Sequence, residues 1–214
     1  MKNYVEPELL EGWLRARSIA RNLPEPVPDH GGLRVDTGLA NEQRRYVFAG
    51  PAPGITELAL SIDAPHVFIK MCGPGPKLQS LVPSKWHLQQ PGGYLMIKDA
   101  GRNPVPSLPP GYHLQVQTES MVTIARIFTE DDTPVASGYA VEHGDVFVYD
   151  RIAVDPAHQH QGLGAALMAA LGTAQRSQAA QRVLVATEAG RGLYLTIGWK
   201  VLSPYSTVAI KPPF

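Results

Sequence analysis

The stretch Val148-Tyr-Asp-Arg-Ile-Ala-Val-Asp-Pro-Ala-His-Gln-His-Gln-Gly-Leu-Gly-Ala165 decides the fold. It begins as an apolar run of strand type, turns at Asp155-Pro156, and becomes the glycine-rich start of a helix near Gly162. Leu163, Leu167, Leu171 and Ala174 then follow at spacings that place them on one helical face. Strand, turn and helix in that order point a row of unpaired backbone N–H groups, with the positive end of the helix dipole, beyond the strand end. Such an arrangement binds phosphate. Gly162 and Gly164 carry no Cβ to hold a bulky anion away. A dinucleotide site would need G-x-G-x-x-G and a Walker loop would need Gly-Lys-Ser/Thr, and neither is present.

Downstream, Arg182-Val-Leu-Val-Ala-Thr187 is rich in β-branched residues and reads as the next parallel strand after the crossover helix. Ala189-Gly-Arg-Gly-Leu-Tyr-Leu-Thr-Ile-Gly-Trp199 reads as a short helix stopped at Gly198, with an aromatic opening the next strand. Residues 199–202 and 206–210 are expected as the last two strands, joined through Ser203-Pro204-Tyr205. Gln159-His-Gln-Gly-Leu-Gly164 resembles the Q/R-x-x-G-x-G/A turn of the GNAT acyltransferase superfamily. The segment 189–199 resembles that family's A-x-x-L-Y-x-x-x-G-F/W, in the family's order.

The resemblance implies an α/β (α+β) fold with a mixed, mainly antiparallel sheet and a central crossover helix, and acetyl-CoA as the acyl donor. It implies that the turn formed by Gln159, His160, Gln161, Gly162, Leu163, Gly164 and Ala165 holds the pyrophosphate. The backbone of Ile152, Ala153 and Val154, on a bulged fourth strand, would take the pantetheine arm. Tyr194 falls where many relatives place the acid that protonates the thiolate, and a phenol of pKa about 10 stays protonated beside a thiol of about 8.5. Asp150 falls where several relatives place a carboxylate facing the acceptor, as base, water-positioning group or cation anchor, with Glu188 as its rival. Strand alternation puts Asp150, Ile152 and Val154 on one side and Tyr149 and Arg151 on the other, unless a bulge near Ile152 shifts it by one. His158 and His160 flank the turn and suit phosphate or solvent better than acid–base work.

The whole chain sets limits. Its 214 residues, 44% of them hydrophobic, suffice for one large domain or two small ones. No run of 18 apolar residues exists and the N-terminus lacks a signal-peptide pattern, so neither a membrane nor a secreted setting is expected. Cys72 is the single cysteine, in a strand-like run where a buried structural thiol is the natural reading, and a cytoplasmic location follows. Nineteen basic residues balance nineteen acidic ones, so nucleic acid is not expected as a partner, and Arg15, Arg17 and Arg21 read as a solvated helix face. No His, Cys and carboxylate spacing suggests a metal. A homodimer is compatible with all of this.

Residues 101–111 hold four prolines and two glycines and look like a connection between an N-terminal α/β region, 1–100, and a core, 112–214. In the core, residues 112–118, 121–128 and 135–141 read as antiparallel strands. A typical GNAT places two helices between its first two strands, and here the turn near Ser120 leaves no room. The first 100 residues must then supply that wall of the acceptor pocket. They offer an amphipathic helix over 8–22 and alternating strand-like and helix-like pieces, either a degenerate acyltransferase-like lobe or a sheet extension. The expected function is acetyl transfer to a primary amine of a small molecule, directly in a ternary complex. A protein or peptide acceptor, an aminoacyl-tRNA acceptor, and an inactive CoA-binding module are the alternatives.

Overall fold

The computed structural model describes residues 5–99, 101 and 108–210, so the centre of the Pro/Gly-rich connection lies outside the described residues. The N-terminal half runs α1 (Pro7–Ala20), β1 (Val27–Asp29), β2 (Gly32–Leu39), β3 (Glu42–Phe48), α2 (Pro53–Ser61), β4 (Val67–Cys72), α3 (Gly75–Gln79), β5 (Trp86–Leu88) and β6 (Gly93–Lys98). The C-terminal half runs β7 (Tyr112–Glu119), β8 (Val122–Thr129), β9 (Pro134–His143), β10 (Val146–Val154), α4 (Leu163–Gly172), β11 (Gln181–Thr187), α5 (Glu188–Thr196) and β12 (Lys200–Ile210). All strands join one sheet in the order β1-β2-β3-β4-β12-β6-β11-β10-β9-β8-β7, with β5 paired to β12.

Each half contains the same device. Strands β3 and β4 are parallel and joined through α2, and β10 and β11 are parallel and joined through α4. A parallel pair needs such a crossover, and the rest of the sheet is antiparallel. The halves then exchange strands: β6 lies between β11 and β12, and β12 lies between β6 and β4. The proline-rich connection therefore does not separate two sheets.

Period-two alternation along β10 sorts the core into layers. Phe147 and Tyr149 face α4, with Leu167 and Leu171. Val146 and Val148 face α1, with Trp13 and Leu14. Both faces are covered, which is why β10 opens as a nearly continuous apolar run. Helix α1 starts on Pro7 with Glu8 in its first turn, both favourable at a helix N-terminus. It buries Leu10, Trp13 and Leu14 on the sheet, and truncating Trp13 to Ala would cost about 3–5 kcal/mol.

The two expected C-terminal strands are one. Strand β12 pairs with β6 through Lys200 to Tyr205 and with β4 through Tyr205 to Ala209, with a register shift between Val201 and Ser203. Pro204 does not break it because the strand changes its main partner there, and the Pro204 carbonyl still accepts from the Gly73 N–H at 2.7 Å.

Candidate active site

Strands β10 and β11 pair only where residues 146–148 meet 181–183. Beyond that point they diverge, and two cavities open on either side of the gap. The first, of about 390 Å³, is lined by Ile152, Ala153, Val154, residues 158–160 and 162–165 of the turn, Leu193 and Tyr194. The second, of about 400 Å³, is lined by Arg17, Arg21, Lys70, Asp150, Arg151, Tyr205 and neighbours. Ile152, Thr187, Gly190 and Tyr194 line both, so the two cavities meet there.

The first cavity has the features of an anion site. Gly162 caps α4 in the left-handed region at φ 81°, and His160 is also left-handed at φ 62°. A chain alternating in this way turns successive N–H groups toward one point. The first bond of α4 runs from the Ala166 N–H to the Gly162 carbonyl, which leaves the amides of Leu163, Gly164 and Ala165 as helix-start donors. Around the turn, the Asp155 carboxylate accepts from the Ala157 N–H and the Gln159 amide donates to the Val154 carbonyl. The Tyr112 hydroxyl donates to Gln161 and lies 2.7 Å from His158 Nδ1.

A bulge shapes the junction. Asp150 pairs with Tyr139 and Ala153 with Ser137, so β10 carries one extra residue between them. Arg151 holds the left-handed conformation there, at φ 52°. Its guanidinium stacks on Tyr139 at 3.6 Å and donates to the Ala20 carbonyl at the end of α1. The bulge moves Ile152 and Val154 to the α4 face with Tyr149, while Asp150 meets α1 on the other. Unshifted alternation would have kept Asp150 with Ile152 and Val154.

Residues 123–201 match the family described as an acetyltransferase (GNAT) domain. The matched stretch runs from β8 to the start of β12 and takes in the residues around both cavities' junction. Among solved structures, it is similar to a GCN5-related N-acetyltransferase from Kribbella flavida, with TM-score 0.68 and 14% identity over 98% of this chain and 97% of that one. A GCN5-related N-acetyltransferase-like protein from Streptococcus suis aligns with TM-score 0.56 and 11% identity, over 85% and 84% of the two chains. A tandem GNAT protein from the clavulanic acid biosynthesis pathway aligns with TM-score 0.52 and 14% identity, over 74% and 68%. At such identities the likeness is one of fold. No curated protein matches the chain in sequence.

Within the matched stretch, Tyr194 is buried at the junction of the cavities, and burial pushes its phenol up to about 12. Its ring lies over the first turn of α5, 3.2 Å from where a Cβ on Gly190 would stand, and edge-on to Trp199. Asp150 is engaged by three arginines. Arg21 donates to both its oxygens at 2.6 and 2.9 Å, Arg17 approaches at 3.4 Å and Arg151 at 3.6 Å. Burial alone would raise the carboxyl, but the Arg21 hydrogen bonds and the charges of Arg17, Arg21 and Arg151 outweigh it and hold it below the ordinary range. Glu188 lies outside both cavities, exposed, bonded to the Tyr94 hydroxyl and to Arg191 at 2.7 Å. The two turn glycines serve different ends. Gly162 is required by its backbone conformation, since a Cβ there would meet nothing within 4 Å. Gly164 is required by packing, since its Cβ would stand 2.8 Å from Leu193.

The reading of Arg17 and Arg21 as a solvated face is corrected. They sit one turn apart on the side of α1 that faces Asp150, and that i, i+4 spacing was the available signal. Lys70 was also legible, as a lone charge inside an apolar strand. It is partly buried, 3.0 Å from Glu42, and desolvation outweighs that pairing to bring its ammonium down to about 8. Cys72 is a buried thiol pushed up to about 12 by desolvation, unsuited to nucleophilic work.

Proposed function

We propose that the protein transfers an acetyl group from acetyl-CoA to a primary amine of a small molecule, directly and with both substrates bound. The observation that carries this reading is the meeting of the glycine-turn cavity and the polar cavity at Tyr194. A space of about 400 Å³ suits a small acceptor, and the free amides, left-handed turn and bulged strand fit the donor.

Acetyl-CoA supplies the acetyl group activated as a thioester. The amides of Leu163, Gly164 and Ala165, aided by His160 and Gly162, bind its pyrophosphate, with Gln159 and Gln161 bracing the turn. The strand 152–154 receives the pantetheine arm along the backbone freed by the bulge. As the new C–N bond forms and the C–S bond breaks, Tyr194 gives its proton to the departing sulfur and the amine proton passes to solvent. Asp150 positions Arg17 and Arg21 rather than taking the amine proton.

The N-terminal half reads best as an acyltransferase-like lobe that has lost its donor site. Its parallel strands β3 and β4 stay paired over five residues instead of diverging. The His30 carbonyl leaves no room beside Gly54 at the start of α2, where the equivalent turn would bind. A cytoplasmic setting agrees with the single buried thiol and with the lack, among the described residues, of any helix able to cross a membrane.

Thiol release from acetyl-CoA with a panel of amines, alongside thermal shift with CoA, tests the proposal. Acceptor-dependent release and a CoA-induced rise in melting temperature are expected. A CoA shift with no turnover on any acceptor class would reject it in favour of a binding module.

A further inference from the structure

The polar cavity is lined by four cations, Arg17, Arg21, Lys70 and Arg151, against one carboxylate, Asp150. Behind Lys70, the Glu42 carboxylate is shared with Arg45 at 2.9 Å, so that pair brings no net negative charge forward. The excess is not spread over an open surface. The side chains of Arg17 and Lys70 are 16% and 14% exposed. Two polar atoms on residues of the lining, Arg17 Nη1 and the Tyr205 hydroxyl, are shut off from solvent and have no hydrogen-bond partner among the described residues, Tyr205 itself being only 6% exposed. Buried charge and buried donors are costly unless something pairs them. Asp150 is already saturated by Arg21 and Arg17. No other carboxylate among the lining residues is there to pair them.

We infer that the acceptor amine carries an anionic group, a carboxylate or a phosphate, which docks between Arg17, Lys70 and Tyr205 while the amine points toward Tyr194. This rests on the acetyltransferase reading of the same site and narrows its substrate class. It also reverses the expectation that Asp150 anchors a cationic amine, because a second positive charge on the acceptor would face four cations. Guanidinium and ammonium beside a phenol suit either oxyanion, Arg17 by its fork and Lys70 as a point charge.

The test compares acceptors that differ only in the anion: β-alanine against β-alaninamide, O-phosphoethanolamine against ethanolamine, and putrescine as the dication. The wild-type enzyme is used with saturating acetyl-CoA. The expected result is a kcat/KM higher by roughly 10- to 100-fold on the anionic member of at least one pair, the size of one charge-assisted hydrogen bond. Which pair responds distinguishes carboxylate from phosphate. Equal or better turnover of the neutral amines or putrescine would overturn the inference and leave acetyl transfer standing. So would turnover on none of the five by enzyme that binds CoA. Failure to bind CoA would instead sink the reading beneath it. Lys70→Met and Arg17→Gln, checked for folding by circular dichroism, should raise KM for the anionic acceptor by the same factor. The KM for acetyl-CoA should stay within about twofold. A rise in the acetyl-CoA KM instead would assign these cations to the donor and overturn the proposal.

Discussion

Replacing Asp150 by Asn separates an ion-pair hub from a catalytic base. The side chain is 8% exposed and receives two hydrogen bonds from Arg21 and a weaker approach from Arg17. Asn keeps the shape but loses the charge, and its one oxygen cannot hold a two-pronged guanidinium. Removing one partner of a buried pair costs about 3–5 kcal/mol, and the partial exposure of Arg21 reduces this to roughly 2–4 kcal/mol. For a chain of this length that is a fall in Tm of roughly 5–12 °C. The sign with pH is fixed by the depressed carboxyl. Its stabilisation is complete above the unfolded value of about 3.9 and is lost as pH falls through the folded one. The gap between the two proteins should therefore be full at pH 7 and close only in acid. Adding Arg21→Gln to the Asn variant should cost less than the sum of the single changes, because both ends of the pair are then gone. Calorimetric melts of the four proteins, with kcat followed against pH, measure all of this. An Asn variant with wild-type Tm would refute the hub. So would an intact fold whose kcat falls about 10³-fold as its acidic limb vanishes, since that is how a general base behaves.

Gly162→Ala should weaken CoA binding roughly 5- to 30-fold through the left-handed strain of about 1–2 kcal/mol, whereas Gly164→Ala should lower Tm by pressing on Leu193; titration calorimetry and melts separate the two. Tyr194→Phe should slow the chemical step about 10²-fold with CoA affinity intact, and the wild type should show no loss of its acid below about pH 11, since burial holds the phenol at about 12. A fragment starting at residue 109 should be insoluble or inactive, because it lacks α1 and the strand β6 that separates β11 from β12; a soluble, active fragment would refute this. The acidic limb of kcat should lie near neutral pH, survive Asp150→Asn, and move upward in Lys70→Met.

The C-terminal fold was legible because its signals are local. A strand, a turn needing Gly162 and a helix stripe lie within about thirty residues, and each constrains the backbone directly. The merger of the last two strands was not legible, because it depends on β4 and β6 accepting β12 on its two sides. Neither was the exchange of strands between halves, which is a property of long-range pairing. A bulge near Ile152, and the one-residue shift it would impose on every side chain after it, could be named from the sequence, but not which of the two alternations holds. Asp150 could be placed on its strand from the sequence, but its neighbours could not be named. Its partners Arg17 and Arg21 come from more than a hundred residues away, and no pattern around Asp150 names them.

If the amine proton passes to solvent, the cations around Asp150 supply the reason that no carboxylate base is needed. One unit charge roughly 7 Å from the acceptor nitrogen, at an effective dielectric of about 20, is worth about 2.4 kcal/mol, or some 1.7 pKa units. The cavity presents four cations against one carboxylate. An anionic acceptor cancels one charge and leaves a net excess of two. That excess brings an ammonium of about 10 down to roughly 7, where solvent can take its proton. A free carboxylate at the same distance would act in the opposite sense. It would stabilise the ammonium by the same 1.7 units or so, and so hold the amine in the form that cannot attack. Locked between Arg21 and Arg17, Asp150 has its charge answered before the acceptor arrives, and it orders the cations that lower the amine's affinity for its proton.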